Sequence, residues 1–114
     1  MEDPRVLPSD PLEFIRSCLA EGRVYWTYHV NMRLQERHIT RDMIWAAADE
    51  MEVVEAYPED KYLPSYLVLC KSSDQAFHVL FAVDMPGNNI RVVTAYVPDP
   101  AEWLPDLKTR RASP

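Results

Sequence analysis

The sequence has 114 residues, an apolar fraction of 47% and a net charge of −6. That length supports one hydrophobic core and excludes a second domain. Three Trp, six Tyr and three Phe beside only two Gly exclude a low-complexity or disordered chain, and the acidic total argues against broad phosphate neutralisation as the basis of function.

The opening stretch "MEDPRVLPSD" lacks an apolar run behind a basic start, and no apolar run approaches the length of a membrane span. Residues 1–10 are expected to be a flexible N-terminus, and the protein is expected to be cytoplasmic with no membrane partner. Cys18 and Cys70 lack a CxxC or CxxH neighbour, so they read as buried thiols and not as a zinc site or disulfide framework. No motif for a cofactor or a metal is present.

"SDPLEFIRSCLAEG" predicts a first helix. Asp10 caps it, Pro11 suits its first turn, Glu13 stands at the capping-box position and Gly22 ends it. Leu12, Ile15 and Leu19, flanked by Phe14 and Cys18, form its inward stripe. "RVYWTY" reads as a short strand or extended lead-in. A second helix follows over residues 29–37 and breaks at "RHIT". Thr40 then caps a third helix running to about Glu50, with Ile39 and Ile44 placed as a hydrophobic staple.

From Glu52 the period changes from helical to alternating, which predicts three or four strands: "EVVEAY", "SYLVLCK", "AFHVLFAVD" and "IRVVTAYV". The connections "SSDQ" and "MPGNN" are short enough for antiparallel hairpins. If Asp84 pairs with Ile90, then His78 faces Tyr96 and Leu80 faces Thr94; if Lys71 pairs with Ala76, Leu69 faces His78. One sheet face then carries Leu69, His78, Leu80, Thr94 and Tyr96. The other carries Cys70, Phe77, Val79, Phe81, Val93 and Ala95 as core. The expected architecture is two-layer α+β, N-terminal helices packed on an antiparallel meander, forming a single domain over residues 11–103. Trp103 is expected to fold back on that domain, and residues 104–114 to be a mobile tail.

Charge is unevenly spread. Residues 42–62 hold seven acids (Asp42, Asp49, Glu50, Glu52, Glu55, Glu59 and Asp60) against Lys61, whereas residues 23–41 hold Arg23, Arg33, Arg37 and Arg41 against Glu36. The acidic run reads as solvated charge at a helix end and an edge strand. The basic island contains "YHVNMRLQERHIT", in which His29, Arg33 and Arg37 recur every four residues. Metal-free cleavage of RNA needs an acid, a base and a cation for the phosphorane. His29 and His78 have the chemistry for the proton transfers, Arg33 and Arg37 for holding phosphate, and Tyr96 for orienting a histidine. The same residues read more simply as a helix surface (His29, Arg33), a pairing arginine (Arg37) and a core histidine hydrogen-bonded to Tyr96. A metal site from His29, His38 and His78 is not expected, because the first two point to different sides of a helix.

The order "YHVNMRLQERHIT", "VVEAYPED", "FHVLFAVD" and "VVTAYVPDPAEW" resembles the small bacterial domains of the domain of unknown function family 4258, over about residues 12–103. The resemblance rests on His29, Arg33, Arg37, Ile39, Thr40, Tyr57, Pro58, His78, Thr94, Ala95, Tyr96, Pro98 and Trp103. Val97 departs from it, since many relatives carry Arg there, which removes a possible phosphate ligand. More distantly the pattern resembles the RelE, ParE and BrnT toxins. That likeness implies helices on an antiparallel sheet and a metal-independent ribonuclease acting on RNA or the ribosome through His29, Arg33, His78 and Tyr96, held by a small antitoxin protein. The alternative is a non-catalytic binding module that keeps the toxin-like frame, consistent with the acidity and with Val97.

Overall fold

The computed structural model describes residues 6–73 and 75–112; the first half of the expected N-terminal tail, Asp74, Ser113 and Pro114 lie outside them. In chain order the elements are α1 (Pro11–Glu21), β1 (Val24–Trp26), α2 (Tyr28–Glu36), α3 (Arg41–Ala46), a 3-10 turn (Ala48–Glu50), β2 (Glu52–Tyr57), β3 (Ser65–Ser72), β4 (Gln75–Asp84) and β5 (Asn89–Tyr96). The class is α+β, with helices on one face of a single sheet. That sheet has five strands in the order β1-β5-β4-β3-β2, one more than the upper expectation.

The helix ends follow local chemistry. The Asp10 side chain accepts from the Glu13 amide, and Gly22 takes a left-handed φ of 75° behind α1. Thr27 and Thr40 cap α2 and α3 through the amides of Val30 and Met43. The α2 terminus is a Schellman motif: Ile39 N–H bonds to Leu34 C=O at 3.0 Å and His38 N–H to Gln35 C=O, with Leu34 and Ile39 both buried. His38 holds the left-handed position at φ 57°. The third helix is shorter than expected. Acids at its C-terminal end, Asp49 and Glu50, oppose the helix dipole, and Arg16 of α1 draws off the carbonyls of Ala48 and Met51.

β2 to β5 form the expected run of antiparallel neighbours, with β4 central to both hairpins. β1 changes the sheet from antiparallel to mixed: it runs parallel to β5, Val24 beside Ile90 and Trp26 beside Val92. A register shift between Leu80 and Phe81 corrects part of the expected pairing. His78 does face Tyr96 and Leu80 does face Thr94, but Phe81 then faces Val92, and Asp84 faces Asn89 instead of Ile90. Val93 is the extra residue, so it leaves the core and is 48% exposed, while Ile90, Val92 and Ala95 are buried.

The core lies between the helices and the inner sheet face, where Ile15, Leu19, Leu34 and Ile44 meet Val68, Phe77, Val79, Phe81 and Ile90. Cys18 and Cys70 are buried free thiols within it, and burial pushes the Cys70 thiol up to about 12. No helix among the described residues is long and apolar enough to cross a membrane.

Because a β-carbon is disfavoured in the left-handed region, His38→Gly is expected to stabilise the fold by about 0.5–1 kcal/mol. Denaturant unfolding of the two proteins measures this. A loss of stability would mean that the His38 side chain contributes more than its strained backbone costs.

Candidate functional site

The outer sheet face, away from the helices, divides into two halves. Side chains of neighbouring strands stand in rows across it: Tyr96, His78 and Leu69 in one, and Arg91, Ala82, Ser65 and Tyr57 in another, with Tyr25 beside Arg91 at the β1 edge. The first row is covered, while the second keeps Arg91, Tyr57 and Tyr25 exposed around buried Ser65 and Ala82.

The cover is made by residues 98–111. Trp103 pairs with Arg110 in an antiparallel bridge, flanked by hydrogen bonds from Leu104 N–H to Thr109 C=O and from Arg111 N–H to Glu102 C=O. Asp106 organises the turn by accepting from the amides of Lys108 and Thr109 and from the Thr109 hydroxyl, which holds its carboxyl below the usual range. These contacts make a small clasp of the segment around Trp103 and Arg110. Lys108 pairs with Glu52 at 2.9 Å and Arg110 with Glu55 at 2.7 Å, so two acids expected to be plain solvated charge anchor the clasp to β2. The Tyr57 hydroxyl also bonds to Glu55.

Under the clasp His78 is fully buried. Its Nε2 lies 2.7 Å from the Leu107 carbonyl and its Nδ1 lies 3.2 Å from the Tyr96 hydroxyl. A carbonyl only accepts, so Nε2 carries the proton and Nδ1 accepts from Tyr96. Both ring nitrogens are engaged, and burial favours the neutral form of the ring. Trp103, 3% exposed, packs edge-on against it at 4.6 Å between centroids, and Tyr96 at 5.3 Å. Burial lowers the His78 pKa, opposed by the Leu107 carbonyl and Glu55 and assisted by Arg110. Burial likewise raises that of Tyr96.

The remaining predicted site residues lie on α2 and its C-cap, with Arg37 close enough to Tyr96 to act on it electrostatically. α2 runs alongside β5, from Thr27, next to the Trp26–Val92 pair, to Arg37 beside Ala95. Arg37 donates to the Thr94 hydroxyl at 3.2 Å and to the Ala95 carbonyl at 2.7 Å, satisfying the edge of β5 beyond the reach of β1. Arg23 and Arg41 are also engaged, the first with Asn88 C=O and Glu21, the second with Asn31 and over the Trp26 ring at 4.7 Å. Among the described residues the exposed side chains of His29 and Arg33 make no hydrogen bond or ion pair. His29 lies in the first turn of α2, two residues past the Thr27 cap that follows the Trp26–Val92 pair, and Tyr96 is four residues beyond Val92, about 13 Å at the rise of a strand. The structure brings His78 and Tyr96 together, and among the described residues neither hydrogen-bonds to His29 or Arg33.

A cleft of 390 Å³ occupies the open half, and nothing in the spacing of the sequence marks it. Ala82, Val93 and Arg91 line it from the sheet, Thr27 from the α2 cap, and Tyr62 and Leu63 from the β2–β3 loop. Asp60 and Lys61 also line it, and the Asp60 carboxylate accepts from the Ser65 hydroxyl at 2.6 Å and from the Lys61 amide. No group of three His, Cys, Asp or Glu that could hold a metal occurs among the described residues.

The pKa of His78 is lower in the folded chain than the ordinary 6.5. The neutral ring is thus favoured by folding, and its stabilisation is present above about pH 6.5 and lost progressively as the pH falls below it. Glu55, held down chiefly by Arg110, loses its contribution only in the more acid range below the ordinary 4.5 of a glutamate. Thermal unfolding from pH 7.5 to 5 should therefore show a falling melting temperature in wild type and a flatter profile in His78→Gln. Parallel profiles would remove His78 as the origin of the effect.

Comparison with known proteins adds one assignment. No curated protein matches the chain, and no solved structure matches it. A family described as domain of unknown function (DUF4258) matches residues 26–97, the stretch that contains α2, the sheet from β2 to β5, the cleft and the His78–Tyr96 pair but stops before the clasp. The chain belongs to that DUF4258 family.

Proposed function

We propose that the chain is a non-catalytic binding module built on a frame that resembles the RelE, ParE and BrnT toxins. The observation that supports this reading is the state of His78. A ribonuclease would need that imidazole to meet the substrate, yet both ring nitrogens are occupied and Trp103 closes the face above them. Arg37, the second candidate phosphate ligand, spends its guanidinium on the edge of β5, and Val97 stands where the family resemblance implies Arg. Binding through the open half of the outer face needs none of these groups.

The catalytic reading, a metal-independent ribonuclease with a small antitoxin as partner, keeps one favourable observation: His29 and Arg33 are exposed on one stripe of α2. Induced expression in bacteria separates the two. Wild type is expected to leave growth and cellular RNA intact, as are His29→Ala and Arg33→Ala. Growth arrest with RNA cleavage by wild type, abolished in variants whose circular dichroism is unchanged, would replace the module with the nuclease.

A further inference from the structure

The open cleft has the chemistry of a small-molecule site. Its volume of 390 Å³ falls in the range of ligand pockets, which combine apolar walls with a few placed polar groups. Leu63, Ala82 and Val93 supply the apolar surface, with Val93 exposed there because the β5 bulge turns it out of the core. Tyr62 forms one wall and is 81% exposed, an unusual investment for an aromatic side chain that stabilises nothing by burial. Tyr25, 59% exposed, flanks the cleft beside Arg91.

Cations line these walls in an otherwise acidic molecule, and the Lys61 ammonium stands 5.2 Å from the Tyr62 ring centroid. Two cations, Lys61 and Arg91, line the cleft against one acid, and both oxygens of that acid, Asp60, already accept hydrogen bonds from Ser65 and the Lys61 amide. Arg91 is half exposed and only loosely paired, 3.9 Å from an Asp84 carboxylate that also accepts from the Gly87 amide and the Asn89 side chain. Its guanidinium can therefore turn to a ligand without leaving a buried acid unpaired. We infer that this cleft binds a small anion with a flat aromatic body, the ring lying against Tyr62 and Val93 and the carboxylate or phosphate meeting Arg91.

This rests on the binding-module reading and gives it a ligand class. A nucleotide and an aromatic carboxylic acid share the required chemistry, so both serve as probes. The full chain is titrated with adenosine monophosphate and with indole acetate, and in parallel with uncharged adenosine and indole, while amide NMR signals are followed.

Saturable shifts are expected at the amides of Leu63 and Val93 with one or both anions, and much weaker binding of the neutral counterparts. Arg91→Gln and Tyr62→Ala, both at exposed side chains, should each raise the Kd about tenfold, the size of one lost charge-assisted bond or one lost stacking contact. Absence of shifts at those amides, equal binding of charged and neutral probes, or unchanged affinity in both variants overturns the proposal. RNA cleavage by the same preparation would sink the module reading itself, whereas no cleavage and no shifts would remove only the ligand class.

Discussion

β5 has three apolar side chains to bury, at Ile90, Val92 and Ala95, and their spacing changes from even to odd along a strand whose side chains alternate. All three reach the core only because Val93 is taken up as an unpaired residue opposite the Leu80–Phe81 step. Much of the outer face depends on that slip. It lets Tyr96 face His78 at one end of the strand while Arg91 faces Ala82 at the other, both outside the core. It also puts Val93 in the cleft wall instead of among the helices.

The covered end of the outer face shows what burial of a histidine demands. An imidazole at zero exposure must have both nitrogens satisfied, and no strand backbone is available to do this because the ladder has already used it. The chain meets the demand with one side chain, Tyr96, and one carbonyl, Leu107, supplied from beyond the last strand. The clasp then needs its own attachment, and the acids of β2 provide it through Lys108 and Arg110. These pairs are solvent-accessible and weak one by one. Trp103, with its large buried surface and the Arg110 guanidinium over its ring at 4.5 Å, supplies the rest.

Local chemistry was the readable part of this sequence. Asp10, Pro11 and Gly22 marked α1, Thr40 with Ile39 and Ile44 marked the start of α3, and the length of the β3–β4 turn placed Leu69 opposite His78; His78 meets Tyr96 as expected because the bulge offsets a one-residue error at the β4–β5 turn. What stayed hidden was non-local. Nothing near Val24 announces a parallel partner at Ile90, and the adjacent apolar pair Val92–Val93 does not itself say which of the two leaves the core. The clasp was obscured by its prolines, which speak against a strand but not against a turn held by Asp106. For the candidate site, the regular spacing of His29, Arg33 and Arg37 was real as a helical stripe. The helix direction along β5 decides what that stripe meets, and no pattern within nine residues encodes it.

The parallel pairing of β1 with β5 also orders events in time. A chain made from its N-terminus produces α1 and β1 first, yet the strand that β1 must join is the last of the sheet. The hairpins from β2 to β5 close over short loops and form from neighbours, whereas β1 docks across nearly the whole domain and carries the loop-closure cost of doing so. Until then the apolar faces of α1, Trp26 and the β5 edge are open together, and that interval is when a nascent chain most needs protection from its neighbours.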